Sequence, residues 1–377
     1  MSDVVFVRTE IAQPLPPPGR TSGIWAWMKE NLFSSPGNTI LTIVGILVVA
    51  MIVPPIYGYM IGDAVFSDPE GVRGDACRGE GIGACWIFIQ SRFSFFIYGF
   101  YPDDQIWRVN LMFVMAIVLL VPLLVPRMPF VRTAAVLFFV VFPVIAYFLM
   151  AGGILGLRPV PSGQWGGLTL TLIISLIGII CSLPIGILLA LGRQSRLPVI
   201  KGFCIAFIEV WRAVPLITVL FMAAVMFPLF MPRGVNPDTL LRAIIGIILF
   251  ESAYMAEVVR GGLQAMPRGQ YEASSALGLN KVKTMGLIIL PQALKHVIPG
   301  IVNTFIALFK DTSLVSIIGI FELLNTVRAA GSDAVWASSS QAITGYIFAG
   351  MVFWIFCFGM SRYSIYMENR LHTGHKR

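Results

Sequence analysis

Eight stretches of this chain stay apolar over roughly twenty residues each, and that repetition constrains the fold more than any other feature. They lie at about 39–60, 107–126, 133–154, 166–191, 205–231, 240–259, 297–321 and 342–361. A helix rises 1.5 Å per residue, so about 20 apolar residues cross the roughly 30 Å hydrocarbon core of a bilayer. Composition agrees, since 57% of the 377 residues are hydrophobic and 12% charged, against about 25% charged in soluble domains. The expected fold is an all-α integral membrane protein of about eight transmembrane helices. The first 38 residues are polar and proline-rich. The first span is too long, and lacks a following small-residue cleavage site, to be a removable signal peptide, so the N-terminus is expected to be kept.

Orientation follows from Lys and Arg, which stay on the cytoplasmic side. With the N-terminus inside, Arg8, Arg20, Lys29, Arg193, Arg196, Lys201, Arg260, Arg268, Lys281, Lys283, Lys295 and Arg370 are cytoplasmic, as are most of the 27 cations. Both termini are then expected in the cytoplasm. The formal charge of +8 reads as membrane topology rather than as a nucleic-acid surface. Of five cysteines, Cys181, Cys204 and Cys357 fall in or at the edge of spans, while Cys77 and Cys85 bracket the Gly-rich "CRGEGIGAC" of an outer loop. A disulfide and two unpaired thiols both fit that pair; an oxidising compartment favours the bridge. No Cys/His spacing suggests a metal site.

The chain divides near residue 160. A cytoplasmic tail at 1–38 carries the extended "PLPPPG", Pro14 to Gly19. It is followed by "IWAWMKENLF", whose Trp25, Met28 and Leu32 share one helical face. That face suits the membrane interface; a plain extension of the first span is the alternative. Residues 39–160 form three accessory spans with a long outer loop at 61–106 and little that suggests chemistry. From 161 to 366 ionisable residues enter or border the spans, before a short tail at 367–377. No internal repeat is evident, so any symmetry has to come from a second chain.

Those residues are Glu209, Arg212, Glu251, Glu257, Arg260, Lys310 and Asp311, joined by Thr312 and Ser313. A charge at membrane depth costs several kcal/mol, so it faces a cavity, pairs, or sits near a helix end. Glu257 and Arg260, three apart, fit a helix-end ion pair. Lys310 and Asp311 are adjacent and point in different directions, so "KDTS" inside an apolar span fits a local break or polar cavity. Glu251, Asp311, Thr312 and Ser313 are therefore candidate pathway residues. Arg212 joins them because its guanidinium fork suits a carboxylate, although its place near a helix end equally suits a topological role.

One segment between spans is polar: "GQYEASSALGLNKVKTMGLIILPQAL", Gly269 to Leu294. Its apolar spacing predicts a short helix ending at Gly278 as a left-handed C-cap. Asn280 is placed to cap a second helix, whose path Pro291 alters. The order Glu272, Ala273, then Gly278, and after nine residues Ile288, Leu290 and Pro291, resembles the signature of ABC-importer permeases. Ser274 stands where a second Ala is common. "AYMAEVVRGGLQAMPRGQYEA", "EVWRAVPL" and "IPGIVNTFIALFKDTSLVSIIGIFELL" narrow the resemblance to polar amino-acid uptake permeases, with Val214 replacing a usual Thr. The resemblance covers about 162–366, and the N-terminal extension is similar to the longer permeases of general L-amino-acid importers.

That resemblance implies a type I permease core of five helices, with coupling helices at 264–290 that dock on a separate cytoplasmic ATPase dimer using ATP and Mg. It further implies a second related permease, a periplasmic amino-acid-binding protein and the bacterial inner membrane. No G-x-x-x-x-G-K-[ST] phosphate loop occurs, so the chain is expected to be a transport subunit and no enzyme, without a cofactor of its own. An ion-driven carrier and an intramembrane enzyme are the competing classes. The first leaves the polar helix–turn–helix unexplained. The second lacks a usable base, since the histidines are His296, His372 and His375.

Overall fold

The computed structural model describes residues 23–67, 74–125, 128, 130–154, 156–232 and 234–371. The Pro14–Gly19 linker, the cations Arg8, Arg20, Arg73, Arg127 and Arg233, and the tail beyond Leu371, with His372 and His375, lie outside the described residues. Regular structure among the described residues is helical, with two isolated β-bridges. Among the described residues seven helices are long and apolar enough to span a membrane, or eight if one bent pair counts as a span.

The chain forms two compact units. The first comprises residues up to Ala64 together with Gly81–Ala84. It holds α1 (Ile24–Asn31) and α2 (Pro36–Tyr57), the latter started by Pro36 and by Ser35, whose hydroxyl accepts the Asn38 N–H at 3.2 Å. Pro fits the first helical turn because its missing N–H has no partner there anyway. No α2 residue is buried, and its side chains are apolar all round, as a helix facing hydrocarbon requires.

The second unit, Val65–Glu80 and Cys85–Arg377, begins with a small packed subdomain. The Cys77 and Cys85 sulfurs are bonded, with their Cα atoms 5.8 Å apart. Two short helices follow, α3 (Trp86–Ser91) and α4 (Phe93–Tyr98). Phe88 and Phe96 are fully buried beside Trp336, Leu323 and Val327. Arg92 pairs with Asp333, and the Cys85 N–H donates to Thr344 Oγ1 at 2.8 Å. Next come α5 (Ile106–Leu124), then α6 (Val131–Val136) and α7 (Phe142–Ala151), which a π turn at Leu137–Val141 joins into one span.

The remaining spans are built around α8 (Gly167–Arg193) and α11 (Thr239–Gln264), which pack along their lengths. Small residues on α8 permit close packing: a Cβ on Gly186 would lie 2.7 Å from Met255 of α11, and one on Gly178 would lie 2.9 Å from Leu308 of α15 (Ile298–Asp311). Without a hydrophobic drive between helices in lipid, such close backbone packing is the main source of adhesion.

The single span expected at 205–231 is corrected: α9 (Pro198–Ala213) and α10 (Leu216–Phe221, continuing irregularly to Phe230) meet at a bend of 101°. The cause is local. Pro215 has no N–H to donate, and its ring drives Val214 into extended backbone, φ −105 and ψ 135. On the far side of α11, α12 (Arg268–Ala276), α13 (Lys281–Lys283) and α14 (Leu290–His296) make the polar connection to α15 (Ile298–Asp311). Then α16 (Leu323–Gly331) and α17 (Ser339–Leu371) complete the chain, α17 running ten residues past the expected end of its span.

A knot of hydrogen bonds fixes the start of α8 to α16. The Gly167 N–H donates to the Phe321 carbonyl at 2.9 Å, and the Leu323 N–H to Thr171 Oγ1 at 3.1 Å. Fully buried Glu322 caps α16, accepting the N–H groups of Leu324 and Asn325 at 2.8 Å each. Burial pushes its carboxyl up to about 7, against the pull of those two donors.

Two outcomes follow from this packing. Gly186→Ala should lower the thermal midpoint of the purified protein, because overpacking costs about 1–3 kcal/mol. Gly350→Ala, where a Cβ meets nothing within 4 Å, should leave it unchanged or raise it; equal behaviour of the two would sink the packing argument. Glu322 is raised in the fold from an ordinary 4.5 to about 7, so the stability it contributes is full in acid and is lost as pH rises through that interval. The wild-type midpoint should fall between pH 5 and pH 7.5 by more than that of Glu322→Gln, and parallel profiles would refute the assignment.

Candidate functional site

The polar break in α15 begins where its hydrogen-bond pattern tightens. After Asp311 the chain continues as a 3₁₀ helix, Thr312–Ile318, ending at Gly319 with φ +81. The Thr312 hydroxyl donates to the Phe309 carbonyl at 2.7 Å and that of Ser313 to the Lys310 carbonyl at 2.9 Å. These back-bonds compete with the regular ladder and favour the tighter turn. Thr312 is buried, Asp311 and Ser313 are partly buried, and Lys310 is exposed.

Glu251, on α11, is 3% exposed and within electrostatic reach of Asp311. Neither carboxylate has a hydrogen bond or ion pair with another described residue. Across from them, Ser182 lies one helical turn before Gly186, and Glu251 lies one turn before Met255, the residue that Gly186 touches. The Ser182 hydroxyl is buried and has no partner among the described residues. The contact register of α8 and α11 therefore brings an unpaired hydroxyl to the level of an unpaired carboxyl. Buried polar groups left this way are costly, and they concentrate where a solute or water completes them.

About 9 Å further along α11, by the helical rise, the charges are instead fully paired. Glu257 accepts from Arg260 at 2.7 Å and from Arg193 at 2.8 Å, and Arg212 stands 3.9 Å away. Arg193 also reaches Glu209 at 3.1 Å. The pair expected within one helix is thus a hub joining the ends of α8, α9 and α11. Arg212 lies over the Tyr254 ring, 5.6 Å from its centroid, so its geometry combines an ion pair with a cation–π contact. Arg193 and Glu209 carry no local signal of this role, because the hub exists only once three helices converge.

The connection beyond α11 folds as a helix, a glycine turn and a helix. Gly278 has φ +69, and Asn280 Oδ1 accepts the Lys283 N–H at 2.9 Å. Ser274 is buried, its hydroxyl donating to the Tyr271 carbonyl at 2.8 Å, so a small side chain is needed there. Pro291 does not divert the chain: a π turn at Thr284–Ile289 precedes it, and the helix continues to His296 with Pro291 in the first turn of α14. Glu272, Ala273, Gly278 and Pro291 are exposed, whereas Ile288 and Leu290 are partly buried. Val282 repeats with Met285 and Ile288 at helical spacing but is 80% exposed, and the sequence reading missed Leu277 and Leu287, which are 76% and 71% exposed. Three bare apolar side chains on a polar connection were legible as an amphipathic remainder on the side opposite the buried face. The connection is held against α11, where a Cβ on Gly262 would lie 2.6 Å from the Ala293 carbonyl oxygen. Among the described residues no cluster of His, Cys, Asp and Glu is placed to hold a metal ion.

Comparison with known proteins agrees with these features. Residues 182–372 match the family described as the binding-protein-dependent transport system inner membrane component. The chain is 50% identical to the inner membrane amino-acid ABC transporter permease protein YhdY of Escherichia coli, over 96% of each chain. It is 38% identical to the glutamate/glutamine/aspartate/asparagine transport system permease protein BztC of Rhodobacter capsulatus, over 100% of each. A solved amino acid ABC transporter with histidines aligns at 28% identity and a TM-score of 0.49, over 54% of this chain and 92% of that one. This chain belongs to the family of binding-protein-dependent inner membrane transport components, the membrane permeases of ABC transporters.

Proposed function

We propose that this chain is the permease subunit of an ATP-driven importer of L-amino acids, forming half of a translocation pathway. The observation that carries the reading is the α12–α13 connection. It offers exposed Leu277, Val282 and Leu287 beside Lys281 and Lys283, on a turn that Gly278 and Asn280 hold rigid. A rigid apolar knob is what a soluble motor needs to grip. Glu272, Ala273, Gly278, Ile288, Leu290 and Pro291 make up this coupling element, the first three as contact surface and the last three as its footing.

The partner supplies ATP hydrolysis with Mg, and a second, related permease supplies the other half of the pathway. A periplasmic binding protein delivers the amino acid to the side of the Cys77–Cys85 bridge. Both termini and the 264–290 connection are cytoplasmic, in the inner membrane of a bacterium, as the distribution of Lys and Arg favours. Residues 161–366 are the permease core and 39–160 an accessory bundle. Within the core, Glu251, Asp311, Thr312 and Ser313 line the solute path, where carboxylates and freed backbone groups meet an α-amino group. Arg212 acts at the cytoplasmic end of that path, through the Glu257 hub. The names of the two long relatives support an amino-acid substrate.

In proteoliposomes containing the complete importer, Gly278→Val should cut ATP-driven uptake at least tenfold and weaken capture of the ATPase. A β-branched residue at positive φ costs of the order of 1 kcal/mol or more and distorts the knob. Wild-type uptake and hydrolysis in this variant would reduce the loop to a connector. Asp311→Asn should leave assembly with the ATPase intact while lowering uptake severalfold, since it removes a charge at nearly constant volume. Unchanged uptake for every amino acid tested would make Asp311 structural.

A further inference from the structure

One large cavity of the second unit plays no part in the reading above. It lies between the accessory spans α5 and α7 and the core helices α8 and α17, and its volume is about 580 Å³. Its wall is apolar: Phe138, Phe142, Ala146 and Met150 on one side, Leu168 and Ile180 on the other. Its polar atoms are few: the Ser175 hydroxyl is spent on the Leu172 carbonyl at 3.0 Å, the Trp165 N–H on the Val160 carbonyl at 3.3 Å, and Tyr147 stands at the exposed edge. Away from that edge the wall offers no free polar group to orient a polar solute or hold water, which needs two to four polar partners. Such a space stays dry and takes apolar matter.

Its dimensions narrow the occupant. Leu168 and Ile180 are twelve residues apart on α8, about 18 Å along the axis, close to the 15 Å thickness of one leaflet's hydrocarbon. A volume of about 580 Å³ spread over that length is a long slot with room for a hydrocarbon chain. Along its edge Ile117 and Tyr147 are 60% and 59% exposed, so the slot opens sideways between spans.

The end of the slot nearest the disulfide side carries the complementary charge. Arg108, one turn before the wall residue Met112, is 1% exposed and donates to the Arg158 carbonyl at 2.9 Å. Its Nε has no partner among the described residues. The Arg158 side chain is 68% exposed, with Asp104 at 3.9 Å as a loose counter-ion and Asp103 next to that. A guanidinium fork at a membrane surface suits a phosphate.

We propose that this slot is a phospholipid site: one acyl chain, from the leaflet on the disulfide side, fills the seam between the accessory spans and the core, with its phosphate at Arg158. The lipid supplies the contacts that the facing helices do not make with one another. The accessory bundle is thus seated on the core through lipid as well as through protein.

The test uses the intact complex as purified from membranes, washed in detergent and then given palmitoyl-oleoyl phosphatidylglycerol. Native mass spectrometry should find one lipid retained per copy of this chain, and Ala146→Trp, which fills the slot, should lower that occupancy at least tenfold. Arg158→Gln should lower it severalfold, more for phosphatidylglycerol than for phosphatidylcholine if the net headgroup charge is read, and equally if the phosphate alone is. Equal occupancy in wild type and Ala146→Trp would overturn the proposal. Should Ala146→Trp fail to assemble, quenching by phosphatidylglycerol with brominated chains decides. Trp165 lines the slot and is 6% exposed, so the quenchable fluorescence should drop in Trp165→Phe. No difference between those two proteins, or a cross-link from Ile117→Cys to another subunit's span, would show that the slot holds no lipid chain.

Discussion

The close approach of α8 to α11 is the contact on which the rest of the core depends. It exists because Gly186 leaves room for Met255 and Ala256, while Gly178 on the same helix leaves room for Leu308 of α15. In a bilayer, burying Leu against Leu gains nothing over burying it in lipid, so adhesion comes from packing density and from polar groups that need each other. The glycines supply the first. The second comes from both ends of α8: the Gly167 and Thr171 bonds to the start of α16, and the Arg193 bridge to Glu257. Between those ends, the same register sets Ser182 and Glu251 opposite one another without partners. Helix α8 is thus clamped at one end to α16 and at the other to α11, with polar groups left unsatisfied between.

Where the backbone departs from the α-helix, the departure has a local cause. Pro215 produces the sharp bend between α9 and α10. Thr312 and Ser313 turn the last part of α15 into a 3₁₀ helix, and a π turn absorbs Pro291 without a bend. Freed backbone groups at membrane depth are tolerable only where protein or a polar cavity receives them. Those near Asp311 sit within reach of the Glu251 carboxyl, so the irregular backbone and the intramembrane charge occupy the same region.

Much of this was legible in the sequence where one local rule was sufficient. The spans follow from apolar length, the turn at Gly278 from the glycine after a helix-forming run, and the second cap from Asn280. The break at Pro215 obeys an equally local rule, but apolar continuity from 205 to 231 outweighed it in the reading. What could not be read were features that require several elements at once. Nothing adjacent to Arg193 or Glu209 marks them as members of one hub. The packing of α3 and α4 against Trp336 joins segments more than 240 residues apart. The slot lined by Phe142 and Leu168 is a shape between helices, and no single helix encodes it.

The elements nevertheless form one mechanical chain. The exposed knob at Leu277 and Val282 is carried by α12, which is braced on α14 through Gln270 and Gln292 at 3.2 Å. The Ala293 carbonyl rests against Gly262, and Gly300 of α15 meets Val258. Both contacts lie on α11, at Val258 next to Glu257 and at Gly262 beyond Arg260. A force on the knob therefore reaches α11 at two points about 6 Å apart along its axis, the rise of four residues. The charge hub centred on Glu257 adjoins the first of these points, and the unpaired Glu251 is about two turns from it. Because close-packed backbones have little freedom to compress, such a displacement passes on as rigid motion of α11 and α15 rather than being absorbed. The hub then has to break or to move as a unit. The three guanidiniums around the Glu257 carboxylate come from three different helices, Arg193 from α8, Arg212 from α9 and Arg260 from α11, so relative motion of any of these helices is felt at that one group.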